Sequence, residues 1–329
     1  MKKPKLLVVG SFNMDYIVST SLFPHEGESV SATAFRKAPG GKGANQAVQA
    51  ARLGADVTMF GKVGCDEDAR TLLSICEEAG IHTQHVIRDG AFTTGSAHII
   101  LEEAPGVSTK NRILVVAGAN GSITAQETAF LENEISRFDM VILQNEIPMQ
   151  INEQVAEYAH ARGVPVMLNP APAAPLSDQL LSRLSYLSPN EHELALITGL
   201  PIRRDAQGVC MEDVRAAAAA LRAKGVGSVL VTLGSDGAYL LNEDGAFFSP
   251  CAQGIRAVDP TAAGDSFIGA FCVAQACGWT WEDALRFANH TAGLTVSQMG
   301  AMPSLPKLDA VEAFLRTKTG GVPDISALI

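Results

Sequence analysis

Short aliphatic runs alternate along the chain with amphipathic segments. The aliphatic runs show little alternation with polar residues, which is typical of strands buried on both faces. These predicted strands span 5–10, 56–61, 140–143, 164–169, 185–187 and 228–233. The segments between them carry apolar residues at helical spacing and span 43–53, 67–79, 124–137, 150–162 and 213–224. The alternation predicts an α/β fold with a doubly wound, mostly parallel sheet flanked by helices.

Three segments interrupt this rhythm. Residues 28–36, 96–102 and 112–116 alternate with the period of a strand but lie outside the β/α order. They predict either edge strands of the main sheet or a small separate β-sheet, bounded at about 14–37 and 95–116. A separate sheet would act as a lid that excludes water from a site beside the main sheet.

Length and composition predict one domain over residues 1–329. Hydrophobic residues make up 47% of the chain and charged residues only 18%, which fits a packed aliphatic core. After the last helical pattern, residues 317–329 contain Gly-Gly and a Pro, so we expect a loosely held C-terminal tail there.

Charge and cysteine usage narrow the partners and the location. The formal net charge is -10 and the Lys/Arg residues form no long cluster, which argues against nucleic acid. A nucleotide is compatible with that charge because backbone amides and a metal can hold its phosphates. None of the six cysteines forms a C-x-x-C pair, and no apolar run suits a signal peptide or a membrane span. We expect a cytoplasmic enzyme with reduced thiols.

The strongest chemical signal is Asp259-Pro-Thr-Ala-Ala-Gly-Asp265, which precedes an apolar helical stretch. A glycine-bearing turn before a helix leaves backbone N–H groups free to hold an anion. Asp265 beside such an anion hole could accept the proton of a hydroxyl that attacks phosphorus. The alternative, which the segment alone favours, is that Asp265 caps the helix. Asp259 shifts the balance towards function, because a cation near a phosphate site would use a second carboxylate.

A second signal is the glycine-rich sequence from Gly40 to Asn45 at the start of a predicted helix. Its glycines would let the backbone approach a ligand, and Lys42 and Asn45 would offer donors that suit a polyol; the alternative is a tight turn. It is not a Walker loop, because that motif requires Ser or Thr directly after Gly-Lys, whereas Gly43 and Ala44 follow Lys42 here.

Polar residues also follow the predicted strands. Asn13 and Asp15 come after the first strand, and Glu146 comes after the strand at 140–143. The carboxyl ends of parallel strands border the ligand crevice of open α/β sheets, so these residues are candidates to bind hydroxyl groups. The alternative is that they are surface charges.

Two further segments have competing interpretations. Asn190 and Glu193 could hold Mg²⁺ through water near phosphates, but their spacing alone favours a helix-capping box. The residues from Thr232 to Gly237 predict a hairpin turn whose glycines could also admit a nucleotide. His82 and His85 have no third ligand nearby, so we interpret them as surface residues rather than a metal site.

Together these motifs resemble the ribokinase family of carbohydrate kinases, also called the PfkB family, from about Lys5 to Phe314. Two signatures carry the resemblance in the expected order, the glycine-rich sequence at Gly40 and the segment that ends at Asp265. Four segments are similar to those of the family's ribokinase members: Asn13-x-Asp15, Gly-Gly-Lys-Gly-Ala-Asn-Gln-Ala, Ala117-Gly-Ala-Asn120 and Asn169-Pro-Ala-Pro-Ala173.

The resemblance implies transfer of the ATP γ-phosphoryl group to the primary hydroxyl of a pentose, with ribose as the first candidate and Mg²⁺ as cofactor. It implies Asp265 as the base, with Ala262, Ala263 and Gly264 as the anion hole. The implied sugar-binding residues are Asn13, Asp15, Gly41, Lys42, Asn45, Glu146 and Asp265. The implied nucleotide-binding residues are Asn190, Glu193, Thr232, Gly234, Gly237, Gly264 and Asn289.

The resemblance also implies a site for an activating monovalent cation, K⁺, and a homodimer formed through the lid. The implied cation-site residues are Asp259, Thr261, Thr295, Gln298, Gly300 and Ser304. Departures from the family pattern include Pro260, Ala262 and Met14, together with a slightly long lid loop at 103–111.

These departures leave deoxyribose, a nucleoside or a sugar acid as alternative acceptors. A nucleoside would need an aromatic cluster near Asn13 or Glu146, and the sequence places none there. A catalytically silent sugar sensor is the alternative of another class, although it would need neither Asp265 nor Glu193.

Overall fold

The computed structural model describes residues 3–103, 110–318 and 321–329. Its strands are β1 (Lys5–Val9), β2 (Asn13–Thr20), β3 (Ala34–Gly40), β4 (Asp56–Val63), β5 (His82–Arg88), β6 (Gly95–Glu102), β7 (Lys110–Val116), β8 (Met140–Gln144), β9 (Val166–Asn169), β10 (Tyr186–Leu187), β11 (Arg204–Asp205), β12 (Gly208–Val209), β13 (Ser228–Thr232), β14 (Ala238–Asn242) and β15 (Gly245–Ser249). Its helices are α1 (Lys42–Arg52), α2 (Glu67–Glu78), α3 (Ala125–Thr128), α4 (Leu131–Glu134), α5 (Met149–Ala161), α6 (Asp178–Leu181), α7 (Glu191–Thr198), α8 (Met211–Ala223), α9 (Ala263–Ala276), α10 (Trp281–Val296) and α11 (Leu308–Arg316). Short 3-10 turns cover Gly118–Ser122, Ile135–Arg137, Gly234–Asp236 and Met302–Ser304. Within the described ranges, no helix combines the length and apolar character needed to cross a membrane.

A nine-stranded central sheet confirms the predicted doubly wound α/β fold. Its strand order is β15-β14-β13-β10-β9-β8-β1-β4-β5, and only the pairings of β14 with β13 and β15 are antiparallel. Strand β1 lies between β4 and β8. The later strands are therefore added on both sides of β1, and the strand order reverses there. That reversal opens a crevice at the carboxyl ends of β1 and β8.

The central strand β1 is buried on both faces. Leu6 and Val8 belong to a core cluster that includes residues of α1, α9 and α10. Leu7 and Val9 belong to the cluster on the opposite face, with residues of α5 and α8. Helices on both faces explain why this strand is a continuous aliphatic run with no polar alternation.

A separate four-stranded sheet, in the order β3-β2-β6-β7, forms the predicted lid. The separate sheet is present, but the strand predicted at 28–36 was wrong. Residues 28–33 are largely irregular, and β3 begins only at Ala34. β2 pairs antiparallel with β3 and parallel with β6 along its length. Most of the predicted long lid loop, residues 104–109, lies outside the described residues.

The predicted helix at 124–137 was wrong as a single element. It divides into α3, α4 and a 3-10 turn. The Thr128 hydroxyl lies 3.1 Å from the Ala125 carbonyl and 3.1 Å from Oε1 of Gln154 on α5. A side-chain hydroxyl that bonds to the backbone competes with regular helical bonding, and α3 ends at this residue.

The prediction of a loosely held tail was wrong for residues 321–329. Ile325 and Leu328 are buried and belong to the same core cluster as α1 and α11. A Cβ added to Gly54, whose φ is +101°, would lie 2.2 Å from the Leu328 carbonyl oxygen. The chain therefore packs closely beyond α11; residues 319 and 320 of the predicted tail lie outside the described ranges.

This packing predicts different effects for two adjacent residues of the tail. Leu328→Ala is expected to lower the free energy of unfolding by about 2 kcal/mol, because it removes a buried side chain and leaves a cavity. Ile329 is 81% exposed, so Ile329→Ala is the matched control and should change stability by less than about 0.5 kcal/mol. Urea unfolding of both variants tests the packing, and equal effects would contradict it.

Candidate active site

Glu146 anchors the crevice at the ends of β1 and β8. Its Oε2 atom accepts hydrogen bonds from the Ser11 hydroxyl at 2.5 Å and the Lys42 amide at 3.0 Å. The Asn13 side-chain amide donates to the same oxygen at 3.2 Å. One carboxylate thus joins the end of β1, the start of the lid and the start of α1. The structure thus brings together Asn13, Lys42 and Glu146, three of the residues predicted to bind the sugar.

The glycine-rich sequence brings α1 against the end of β1. Gly41 has a φ of +95°, and a Cβ there would lie 2.6 Å from the Asn13 backbone nitrogen. A Cβ at Gly43 would lie 2.5 Å from the Ser11 nitrogen. The glycines therefore allow close packing of two backbone segments.

Asp265 is the third residue of α9, and it does not cap that helix. The N-cap position belongs to Ala262, which makes no side-chain capping bond. The Asp265 carboxylate instead accepts hydrogen bonds from Nδ2 of Asn45 at 2.8 Å and Nε2 of Gln46 at 2.9 Å. Both amides belong to α1, so contacts between helices fix the orientation of this buried acid.

The start of α9 has an unusual backbone. Ala262 has a φ of +59° and is the one non-glycine residue with positive φ among the described residues. Such conformations cost free energy and are concentrated at functional sites. The Ala263 amide donates to the Pro260 carbonyl at 3.2 Å. In the described part of the chain, the amides of Gly264 and Asp265 have no protein acceptor, so they can bind an anion.

Carboxylates surround the buried amine of Lys42. Burial alone would lower the pKa of Lys42, but Asp265, Glu146, Glu193 and Asp15 together hold the pKa above its ordinary value. Burial raises the pKa of Asp265, while Lys42 and the amides of Asn45 and Gln46 oppose that rise. Lys42 therefore remains positively charged at neutral pH and offsets part of the negative charge.

The pKa of Asp15 is shifted upwards. Its pKa is raised to about 6, mainly by burial and next by the charge of Glu146, against the opposing charge of Lys42. Burial also raises the pKa of Glu193. Carboxyl groups with pKa values raised in this way are common at functional sites.

A cavity of about 240 Å³ joins Lys42 and Asp265 to the predicted nucleotide-binding residues. Asn190, Glu193, Thr232 and Gly264 line it. Asn190 and Glu193 also form the capping box considered as their alternative, with bonds of 2.9 and 2.8 Å. The local cap and a position in the cavity therefore occur together.

Gly234 and Gly237 lie in the turn between β13 and β14, and Asn289 of α10 lies beside Gly237. The predicted turn is present as the 3-10 turn Gly234–Asp236. A Cβ at Gly237 would lie 2.2 Å from the Ser249 carbonyl, to which Asn289 also donates a bond of 2.9 Å. These residues share one neighbourhood, but they do not line the cavity at Asp265.

Hydrogen bonds link several of the predicted cation-site residues, between the turn before α9 and the end of α10. Asp259 accepts bonds from the amides of Thr261 and Gly300, each at 2.9 Å, and its own amide donates to the Val296 carbonyl at 3.1 Å. Gln298 donates to the Thr295 carbonyl at 3.1 Å.

Several carbonyl groups around this junction are available to a cation. Within the described residues, five of them accept no protein hydrogen bond: those of Asp259, Thr261, Gln298, Gly300 and Ser304. Neutral carbonyl oxygens suit a hard cation such as K⁺. The described residues contain no group of three or more His, Cys, Asp or Glu side chains arranged to hold a metal.

Sequence reasoning missed the supporting role of three polar residues. Gln46 orients Asp265, and Ser11 links Glu146 to the Gly43 amide at 3.2 Å. Asn120 donates to Oδ1 of Asn13 at 2.9 Å and so fixes which way that amide points. Gln46 directly follows Asn45, and two adjacent amides on a buried helix were the available signal.

Comparisons with known proteins identify the family of this chain. The family model for pfkB family carbohydrate kinases matches residues 3–308. A ribokinase of Schizosaccharomyces pombe is 39% identical, covering 95% of this chain and 98% of the relative. A deoxyribokinase of Salmonella typhi is 32% identical, covering 94% of this chain and 98% of the relative.

A solved structure is similar over almost the same length. Arabidopsis thaliana ribokinase, complexed with ribose and ATP, superposes with a TM-score of 0.85 at 34% identity and covers 95% of this chain and 99% of that one. The chain belongs to the pfkB family of carbohydrate kinases.

Proposed function

We propose that this protein transfers the γ-phosphoryl group of ATP to the primary hydroxyl of D-ribose, giving ribose 5-phosphate and ADP. The observation that carries the proposal is Asp265, a buried carboxylate held by two side-chain amides. It lies beside two backbone N–H groups that have no acceptor among the described residues. Ribokinases among its relatives, including the structure with ribose and ATP, support the choice of sugar.

The reaction needs a base, an anion site and a leaving group held in line. Asp265 accepts the proton of the sugar hydroxyl as that oxygen forms its bond to the γ-phosphorus. The bond from the γ-phosphorus to the bridging oxygen breaks, and ADP carries away the electron pair. The amides of Gly264 and Asp265, with Ala262 and Ala263 shaping the turn, hold the negative oxygens of the transferring group.

The sugar would lie between the lid and the central sheet. Asp15 and Glu146 accept bonds from its hydroxyl groups, while Asn13, Lys42 and Asn45 donate to them, and Gly41 leaves room for the ring. Hydrogen bonds to Glu146 and Asp265 already orient the Asn13 and Asn45 side chains, which lowers the entropic cost of binding.

The nucleotide would lie over the start of α9 and the turn after β13. We propose that Asn190, Glu193, Thr232, Gly234, Gly237, Gly264 and Asn289 hold it. Mg²⁺ bound to the phosphates would neutralise charge on the transferring group. Glu193 fits that ion through water, because Mg²⁺ keeps several waters and uses few protein carboxylates.

The junction of the Asp259 turn and α10 is the proposed K⁺ site. The unpaired carbonyls there supply the ligands, together with Thr295 at the helix end. A cation at this point would steady the turn that carries the anion hole, which explains how it could raise the rate without touching either substrate.

A panel of sugars assayed for ATP consumption, with and without K⁺, tests the proposed function. Ribose is expected to give the highest kcat/KM among pentoses, hexoses and nucleosides, with a further increase in K⁺. Absence of ATP turnover with every sugar, despite sugar binding, would favour a non-catalytic sensor.

Deoxyribose is the second candidate acceptor, because a deoxyribokinase is a full-length relative at 32% identity. The two sugars differ by one hydroxyl. If that hydroxyl bonds to the buried polar groups of the crevice, its loss leaves one of them unpaired and lowers kcat/KM strongly. Equal kcat/KM values for the two sugars would contradict a preference for ribose.

We also propose a homodimer formed through the lid, in a cytoplasmic protein. Apolar side chains stand exposed on the lid, with Phe35 at 61%, Leu114 at 70% and Val115 at 64%. An exposed apolar group of this kind suits a protein partner. The six cysteines are all free thiols, which fits a reducing compartment.

A further inference from the structure

Arg204 joins two segments of the proposed nucleotide site without lining its cavity. Its guanidinium makes a bidentate pair with Glu191, with Nε at 2.8 Å from Oε1 and Nη2 at 2.6 Å from Oε2. The same Nη2 donates to the Leu233 carbonyl at 3.0 Å, and Nη1 lies 3.0 Å from Oδ2 of Asp236. One side chain therefore links the first residue of α7 to the turn after β13.

Both linked segments continue directly into residues of the cavity. Glu191 follows Asn190, and Leu233 follows Thr232; Asn190 and Thr232 form an isolated parallel bridge and line the cavity. A shift of α7 relative to the turn would move these two residues apart. The spacing across this part of the site thus depends on what holds the two segments together.

The small hairpin of β11 and β12 supports the same turn. The Val209 amide donates to Oδ2 of Asp236 at 3.0 Å, and a Cβ at Gly208 would lie 3.1 Å from the same carboxylate. Asp236 thus accepts a hydrogen bond from the hairpin backbone and forms an ion pair with Arg204. Planar guanidinium pairs of this type fix orientation as well as distance, which a lysine ammonium would not do.

We propose that Arg204 is a positioning residue for nucleotide binding, which sets the spacing between the Asn190 end of α7 and the Thr232–Gly237 turn. This inference rests on the proposed function, because it takes that turn to be part of the ATP site. Arg204 acts through Glu191, Leu233 and Asp236 and does not itself touch the nucleotide. The sugar side of the crevice, around Glu146, shares none of these contacts.

Calorimetric titration of the full chain with ADP, a non-hydrolysable ATP analogue and ribose tests the proposal. Arg204→Met is expected to raise the Kd of both nucleotides by about fivefold and to leave the Kd of ribose unchanged. The neighbouring Arg203→Met is the matched control. Arg203 makes its own bidentate pair with Asp213, at 2.7 and 2.8 Å, but contacts neither segment of the site.

Asp236→Asn adds an independent arm. Because it weakens the same link, its effect on nucleotide Kd should not add to that of Arg204→Met in the double variant. A loss confined to the ATP analogue would overturn the positioning role, since it would indicate direct contact with the γ-phosphate. Equal losses for ribose and nucleotide, or for both arginine variants, would also overturn it.

The outcome is separable from failure of the proposed function. If the wild-type protein bound nucleotide but phosphorylated no sugar, the ratio of nucleotide Kd values between Arg204→Met and wild type would still test the link. If it bound no nucleotide, the proposed function and this inference would both be wrong, and binding of ribose would be unaffected.

Discussion

Replacing Asp265 with Asn is expected to lower kcat by about a thousandfold and to leave the Kd of ribose nearly unchanged. The amide keeps the size of the carboxyl group and one acceptor oxygen, but it cannot take the proton of the attacking hydroxyl. Single-turnover ATP consumption at saturating ribose measures the rate, and calorimetry measures sugar binding.

Asp283→Asn is the matched control for this variant. Asp283 is the third residue of α10, as Asp265 is of α9, so both changes remove an acid from the first turn of a helix. Only Asp265 lines the cavity, and Asp283→Asn is therefore expected to keep its rate. A near-normal kcat for Asp265→Asn would remove that residue as the base, and a lost affinity for ribose would assign it to binding.

The assignment of Asp265 shows where local sequence reasoning stops. An Asp near the start of a helix is often a helix cap. The residues of the segment alone do not decide between a cap and a catalytic base. Its hydrogen-bond donors are Asn45 and Gln46, which precede it by 220 and 219 residues. Only the two motifs taken together pointed to their meeting, and only the fold shows which atoms bond.

The central sheet was predictable for a different reason. Each of its inner strands is buried on both faces, so a continuous aliphatic run reports its environment without knowledge of its partners. The lid strand β2 has no such pattern, because its two faces lie in different environments. Asp15 faces the crevice, whereas the Tyr16 ring stacks on His98 at 5.1 Å and its hydroxyl contacts Asp68.

The C-terminal tail was mispredicted because its packing depends on residues that are distant in sequence. A Gly-Gly followed by a Pro marks the end of a helix but does not say whether the chain then leaves the surface. Leu328 is held by its close approach to Gly54 and by the core beside α1, and neither can be inferred from the sequence near the C-terminus.

Binding of ribose is expected to weaken as the pH falls through 6, because Asp15 must be ionised to accept hydrogen bonds from the sugar. The pKa of Asp15 is about 6 in the unliganded protein, raised by burial and then by Glu146. Above pH 7 the carboxylate is already charged, and the Kd should be constant. Between pH 7 and pH 5 the Kd should rise about tenfold, because a proton must leave before the sugar can bind.

The stability of the unliganded protein changes with pH in the opposite direction to sugar binding. The folded protein holds this proton more tightly than the unfolded chain does, so Asp15 favours folding below its ordinary pKa of 3.8. That contribution is lost as the pH rises through 6. Sugar binding at neutral pH therefore uses a charge whose burial is costly to the empty site.

Asp15→Asn separates this group from the other acids of the crevice. It should raise the Kd of ribose about thirtyfold at pH 8, as expected for loss of a charged acceptor, and it should remove the dependence on pH. Ribose does not ionise in this range, so any slope that persists in the variant belongs to another group of the protein. A wild-type Kd that is flat from pH 5 to pH 8, or an unchanged slope in the variant, would show that Asp15 does not bind the sugar as an anion.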